Sequence, residues 1–146
     1  MYERILVCTD GTKLSKKAVD GGVALAAKLD AHLVAYMAVP RYPHLYFEGA
    51  VVLTPAETKR IEKEWNDQAQ IIVDAVQKEA HARHVKATAV IGHGEVAESI
   101  ISAAKKHKCD LIVMASHGRK GISRVLLGSE TLDVLTHSHI PVLVLR

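Results

Sequence analysis

At 146 residues, 49% of them hydrophobic and 24% charged, the chain has ordinary globular composition and the length of one domain, 1–146. Lysine and arginine outnumber aspartate and glutamate 19 to 16, and the net +3 is scattered along the chain, which argues against a sequence-specific nucleic-acid binder or a polybasic membrane anchor. One Phe, one Trp and four Tyr are too few for a base-stacking platform; no apolar run approaches the roughly 18 residues of a membrane span, and no secretory signal is expected.

Ile5, Leu6, Val7 and Cys8 form a short apolar strand that ends in Thr9-Asp10-Gly11. Leu14, Ala18, Gly22, Leu25 and Leu29 recur at helical spacing and predict a helix over 13–29. A nearly all-apolar strand follows over 33–39 and is stopped by Pro40. Residues 40–53, broken by Pro40, Pro43 and Gly49, read as a loop that carries Tyr42, Tyr46 and Phe47; it is expected to be mobile and to fold toward a ligand or partner. Thr54-Pro55-Ala56-Glu57 is a capping box with proline at the first helical position, and Ile61, Trp65, Ala69, Ile72, Val76 and Ala80 continue one stripe to about 82. Val85, Ala87, Ala89 and Ile91 alternate with Lys86, Thr88 and Val90, which suggests an edge strand, closed by Gly92-His93-Gly94 as a turn. A helix then carries Val96, Ile100 and Ala104, and 111–114 is another continuous apolar strand. A glycine-rich loop over 116–128, a short helix near 129–137 and a final strand over 142–145 complete the chain.

Strands alternating with helices, most strands apolar throughout, require a parallel sheet covered on both faces: a doubly wound α/β domain. Ligands of such sheets bind outside the carboxyl ends of the strands, where the winding reverses. Two loops there have suitable chemistry. In the first, Asp10 is either an Asx turn for the following helix or a carboxylate facing a ligand. In the second, Gly118, Gly121 and Gly128 allow close backbone approach to an anion, Ser129 offers a hydroxyl at a helix N-terminus, and Arg119, Lys120 and Arg124 add positive charge. The segment is neither a Walker A loop nor a GxGxxG fingerprint. Cys8 and Cys109 lack CxxC spacing and an adjacent base, so they are expected to be core residues of a reduced, cytosolic protein. Nine histidines form no convincing metal set: His137 and His139 lack a third neighbouring ligand, and His81 and His84 suit the C-terminal end of the long helix.

Cys8-Thr9-Asp10-Gly11, together with Ala115-Ser116-His117-Gly118, nine residues, then Gly128-Ser129, and the closing Ile140-Pro141-Val142-Leu143-Val144, resembles the universal stress protein family over the whole chain. In nucleotide-binding members the loop is written G-x-x-G-x9-G-[ST]; this sequence keeps Gly118, Gly128 and Ser129 and has Ala115 at the first glycine. The resemblance implies a five-stranded parallel sheet in the order 3-2-1-4-5, similar to the adenine-nucleotide α-hydrolases. It also implies a site for ATP or AMP, with magnesium or manganese carried on the phosphates. Cys8, Thr9, Asp10 and Val39 would adjoin the adenosine, with Met114 and Ala115 at the end of strand four. Gly118, Arg119, Gly128, Ser129 and Glu130 would adjoin the phosphates. No Ser-His-Asp order and no water-positioning pair stand out, so a regulatory binding protein is expected, with slow ATP hydrolysis at most; the alternative is a nucleotide-free dimeric interaction module. In the implied order, 142–145 forms a free edge, apolar on both faces, expected to pair with the same strand of a second copy as a homodimer.

Overall fold

The computed structural model describes residues 1–41, 54–117 and 127–146. The aromatic-rich stretch of the 40–53 loop and the loop residues Gly118, Arg119, Lys120, Gly121 and Arg124 lie outside the described residues. The elements are β1 (Arg4–Cys8), α1 (Lys13–Leu29), β2 (His32–Val39), α2 (Pro55–Ala82), β3 (Ala87–His93), α3 (Val96–Lys106), β4 (Leu111–Ala115), α4 (Ser129–His137) and β5 (Val142–Leu145). The strands form one sheet in the order β3-β2-β1-β4-β5, and every pairing is parallel.

The period of two along each strand divides the core between the two faces. Ile5, Val7, Leu33, Ala35 and Val113 face α1 and α2, while Leu6, Val34, Tyr36, Ile112 and Met114 face α3 and α4. Ile5, Leu6 and Val7 are fully buried, each contributing about 1.5–3 kcal/mol of hydrophobic stabilisation. The middle strand is also clamped at its start. The Asp110 carboxylate accepts the backbone N–H groups of Glu3 and Arg4 at 2.9 and 3.1 Å, and the Asp110 N–H donates to the Arg4 carbonyl at 2.9 Å.

The capping box on α2 forms as expected: Glu57 N–H donates to Thr54 Oγ1 at 3.2 Å, and Thr54 N–H donates to the Glu57 carboxylate at 2.7 Å. Those bonds from Thr54 hold the Glu57 carboxyl below its ordinary pKa. Three sequence expectations shift. The buried stripe of α1 is Ser15, Ala18, Val19, Gly22, Val23 and Ala26, which leaves Leu14 and Leu29 exposed. The helix therefore turns mainly small residues and valines toward the sheet, with Leu25 packed at the edge of that core. β3 begins at Ala87, because Val85 instead closes the end of α2, its N–H donating to the Ala80 carbonyl at 2.9 Å. At its other end β3 runs through Gly92 and His93, which pair with Ala38 and Val39; His93 is thus a strand residue, its Nε2 2.6 Å from Asn66 Oδ1 of α2.

Small residues on α1 set the distance between helix and sheet. A Cβ on Gly22 would lie 2.2 Å from Val7 Cγ2, and one on Gly21 would lie 2.3 Å from Leu145 Cδ1. Leu145 ends in a flexible side chain and can give way, whereas Val7 is β-branched, stiff at χ1 and buried on all sides. Alanine at 22 gains about 1 kcal/mol of helix propensity but overpacks the core at a cost of about 1–3 kcal/mol. Gly22→Ala is therefore expected to lower the unfolding free energy by up to about 2 kcal/mol in urea titration, and the loss should shrink when Val7→Ala is introduced with it. A Gly22→Ala protein more stable than the parent would contradict this contact.

Candidate functional site

The carboxyl ends of β1, β2 and β4 surround a cavity of about 410 Å³, between the two strands from which the chain winds in opposite directions. Its wall is chemically divided. From β2 and the residue after it come Tyr36, Met37, Ala38 and Pro40, and from α3 come Val96 and Ile100, an apolar end closed by Met114 of β4. The other end is formed by His117 and by Gly128, Ser129, Glu130 and Thr131 at the start of α4.

The turn after β1 is built from side-chain hydrogen bonds. Thr9 N–H donates to the Tyr36 carbonyl at 2.9 Å, Gly11 N–H donates to Thr9 Oγ1 at 3.2 Å, and Thr9 Oγ1 lies 3.1 Å from Ser15 Oγ. Gly11 takes a left-handed φ of +80°, which a residue with a Cβ adopts only with strain. Thr12 caps α1, accepting from Ser15 N–H at 3.2 Å. Asp10 Oδ1 accepts from Thr12 N–H at 2.9 Å, an Asx turn, while the same side chain forms part of the cavity wall. The two readings of Asp10 are compatible: one oxygen fixes the turn, and the turn fixes the carboxylate.

At the opposite end, α4 is capped by Gly128, with no side-chain cap bond; Ser129 is the first helical residue and lines the cavity. The first amides of a helix have no partner within it, so this end presents N–H groups and the positive end of the helix dipole to the cavity. Gly128 serves closeness more than torsion: its φ is −68°, and an added Cβ would lie 3.3 Å from the Ser116 carbonyl oxygen and 3.4 Å from His117 Cα, a tight fit against backbone atoms. The same junction is tied by Gly128 N–H to the Ser116 carbonyl at 2.7 Å and by the buried Thr131 hydroxyl to the Ala115 carbonyl at 2.9 Å.

Cys8, Thr9, Asp10, Met114, Ala115, Gly128, Ser129 and Glu130 all reach the cavity wall. Gly118 and Arg119 lie outside the described residues. Val39 requires correction: it is 3% exposed and takes no part in the wall, whereas Met37, Ala38 and Pro40 do. In a strand apolar on both faces no alternation marks the lining residues, and the wall takes the neighbours of Val39 on either side. Tyr36, Ser15 and Thr131 carried no motif signal, although a lone tyrosine in an otherwise aliphatic strand is a mark of a kind. Ala115, at the family loop's first glycine, is the last residue of β4 and pairs with Leu145, so its backbone is extended and needs no glycine. Burial pushes the Cys8 thiol far above its ordinary range and that of Cys109 up to about 11, so both stay protonated near neutral pH. Among the described residues no group of three or more His, Cys, Asp or Glu could hold a metal ion, and no helix is long and apolar enough to cross a membrane.

The profile of the universal stress protein family matches residues 1–146. A universal stress protein of Methanocaldococcus jannaschii, MJ0531, is 33% identical over 148 residues, covering 100% of this chain and 83% of its own length. The universal stress protein YxiE of Bacillus subtilis is 31% identical over 150 residues and covers 100% of both chains. Among solved structures, universal stress protein UspA from Lactobacillus plantarum has a TM-score of 0.83 at 26% identity, covering 99% of this chain and 98% of that one. A universal stress protein in complex with cAMP has a TM-score of 0.71 at 26% identity, covering 99% and 97%. Sheet order, loop spacing and these full-length matches agree, and the chain belongs to the universal stress protein family.

Proposed function

We propose that this protein is a cytosolic regulatory member of the family that binds an adenine nucleotide, ATP or AMP, as part of a stress response. The observation that carries this reading is the divided cavity: one end suits a flat apolar base, and the other presents a helix N-terminus suited to phosphate. The cAMP complex of a similar protein is consistent with it. The base packs among Met37, Ala38, Val96 and Met114, Asp10 accepts from a sugar hydroxyl, and Gly128 and Ser129 meet the phosphates. Magnesium or manganese enters on the phosphates, near the carboxylates of Asp10 and Glu130. The role is binding, with slow hydrolysis at most. Ala115 lies in extended backbone, whose torsion suits alanine, and this supports the nucleotide-binding reading over a nucleotide-free module.

Calorimetric titration with ATP and with AMP tests the reading directly. Gly128→Val, whose methyl groups meet backbone atoms that cannot swing aside, is expected to weaken ATP binding by about a hundredfold or more while the circular dichroism stays that of the parent. Unchanged affinity in that variant would move the site elsewhere.

The same proposal includes a homodimer formed through β5. This strand is one free edge of the sheet, and Leu143 on it, with Leu132 and Leu135 on the adjoining α4, is 38–53% exposed. Antiparallel pairing with a second copy satisfies the open N–H and C=O groups and covers these leucines with one self-complementary surface. Sedimentation equilibrium at micromolar concentration should give about twice 15.9 kDa, and Leu143→Lys should reduce it to the single-chain value. A parent mass of 15.9 kDa would rule the dimer out.

A further inference from the structure

A second cavity, also about 410 Å³, runs between the outer edge of β3 and the adjoining face of α3. Its floor is Val90, Gly92 and Ala103, and its rim carries Arg41, Glu98 and Lys106. Among the described residues, Tyr36 alone belongs to the walls of both cavities. Its ring is 2% exposed and lies on the α3 face of β2, in register with Cys8 on one side and Val90 on the other. Cys8 lines only the first cavity, and Val90 only the second.

Gly92 holds the ring in that place by leaving room for the phenol oxygen: an added Cβ would lie 2.1 Å from Tyr36 Oη and 2.9 Å from its Cζ. A side chain at 92 would displace the ring. The tyrosine is therefore a fixed septum, anchored from the side of the second cavity and presenting its ring to the first.

We propose that Tyr36 sets the base specificity of the site: it closes the base pocket at its apolar end and limits the ligand to a nucleotide whose purine carries no bulky substituent. This rests on the adenine-nucleotide reading of the first cavity. Because the ring belongs to both walls, its removal would open the first cavity toward the second and leave room behind the base. The phosphate contacts at the start of α4 and the sugar contact at Asp10 come from other segments. The wall thus acts by exclusion, rejecting larger ligands without adding a bond to the right one.

The test is calorimetry on the full-length protein, stripped of nucleotide, with ATP and with analogues enlarged either on the base (a benzyl group on N6, or a thioether chain on C2 or C8) or on the ribose (a 2′/3′ anthraniloyl ester). The parent should bind ATP and bind every base-enlarged analogue more weakly. Tyr36→Val should raise the affinity for at least one base-enlarged analogue, relative to ATP, about tenfold or more over the parent, with no such gain for the ribose-enlarged analogue. Tyr36→Leu, which keeps more of the buried volume, should show the same gain to a lesser degree and serves where the valine variant does not fold. Tyr36→Phe, which keeps the septum, should show none. A parent that binds no ATP overturns the nucleotide reading and this proposal with it. A parent that binds ATP, with a folded Tyr36→Val or Tyr36→Leu that gains on no base-enlarged analogue, overturns the septum alone. Equal gains on base- and ribose-enlarged analogues would mean a loosened core and would also overturn it.

Discussion

The contact between Val7 and the bare backbone of Gly22 governs much of this molecule. It lets α1 lie flush on the middle of the sheet, so that Ala18, Val19, Val23 and Ala26 reach a core that longer side chains would hold away. Because the start of α1 is continuous with the turn after β1, the depth of that packing also sets where Thr9, Asp10 and Ser15 stand. Ser15 belongs both to the buried stripe of the helix and to the cavity wall. Helix packing and site geometry are one constraint met at two places.

The second determinant is the junction between β4 and α4. Most of the loop that joins them lies outside the described residues, yet its two ends are tied directly to each other through Ser116, Gly128 and Thr131. The helix N-terminus is thereby aimed independently of the intervening loop. Placing amide donors by short backbone contacts holds them more firmly than long cationic side chains could, since less conformational freedom is lost on binding. Burial keeps both thiols protonated; Cys8 reaches the cavity wall, whereas Cys109 lies before the amino end of β4.

Much of this was legible in the sequence where period and punctuation agreed. The strand-helix alternation, the capping box at Thr54 and the glycine-serine helix start each rest on local chemistry that tertiary structure had no reason to override. The errors fall where local signals compete. On α1, Ala18 and Gly22 of the expected stripe are buried and Leu25 packs at the edge of the core, whereas Leu14 and Leu29 are exposed. On β2, a strand buried on both faces carries no alternation, so the sequence does not separate the cavity-lining Met37 and Ala38 from Val39. The role of Tyr36 could not be read from β2 alone, because it depends on a glycine more than fifty residues away in the adjoining strand.

The position of β1 has a consequence for synthesis. It is made before the other four strands of the sheet, yet it is central, with β2 on one side and β4 on the other, and its start is held by Asp110. A growing chain that has reached the end of β2 can pair one edge of β1, but the other edge stays open until residues 111–115 emerge. At about 5–20 residues per second this leaves an unpaired strand edge for roughly 4–14 s. Leu6, Val34 and Tyr36 remain uncovered for nearly as long, because α3 is made only just before β4. The half-made protein is thus a three-stranded sheet with one sticky edge and one bare face, and its yield in a cell depends on translation speed and chaperone supply before it depends on the stability of the finished fold.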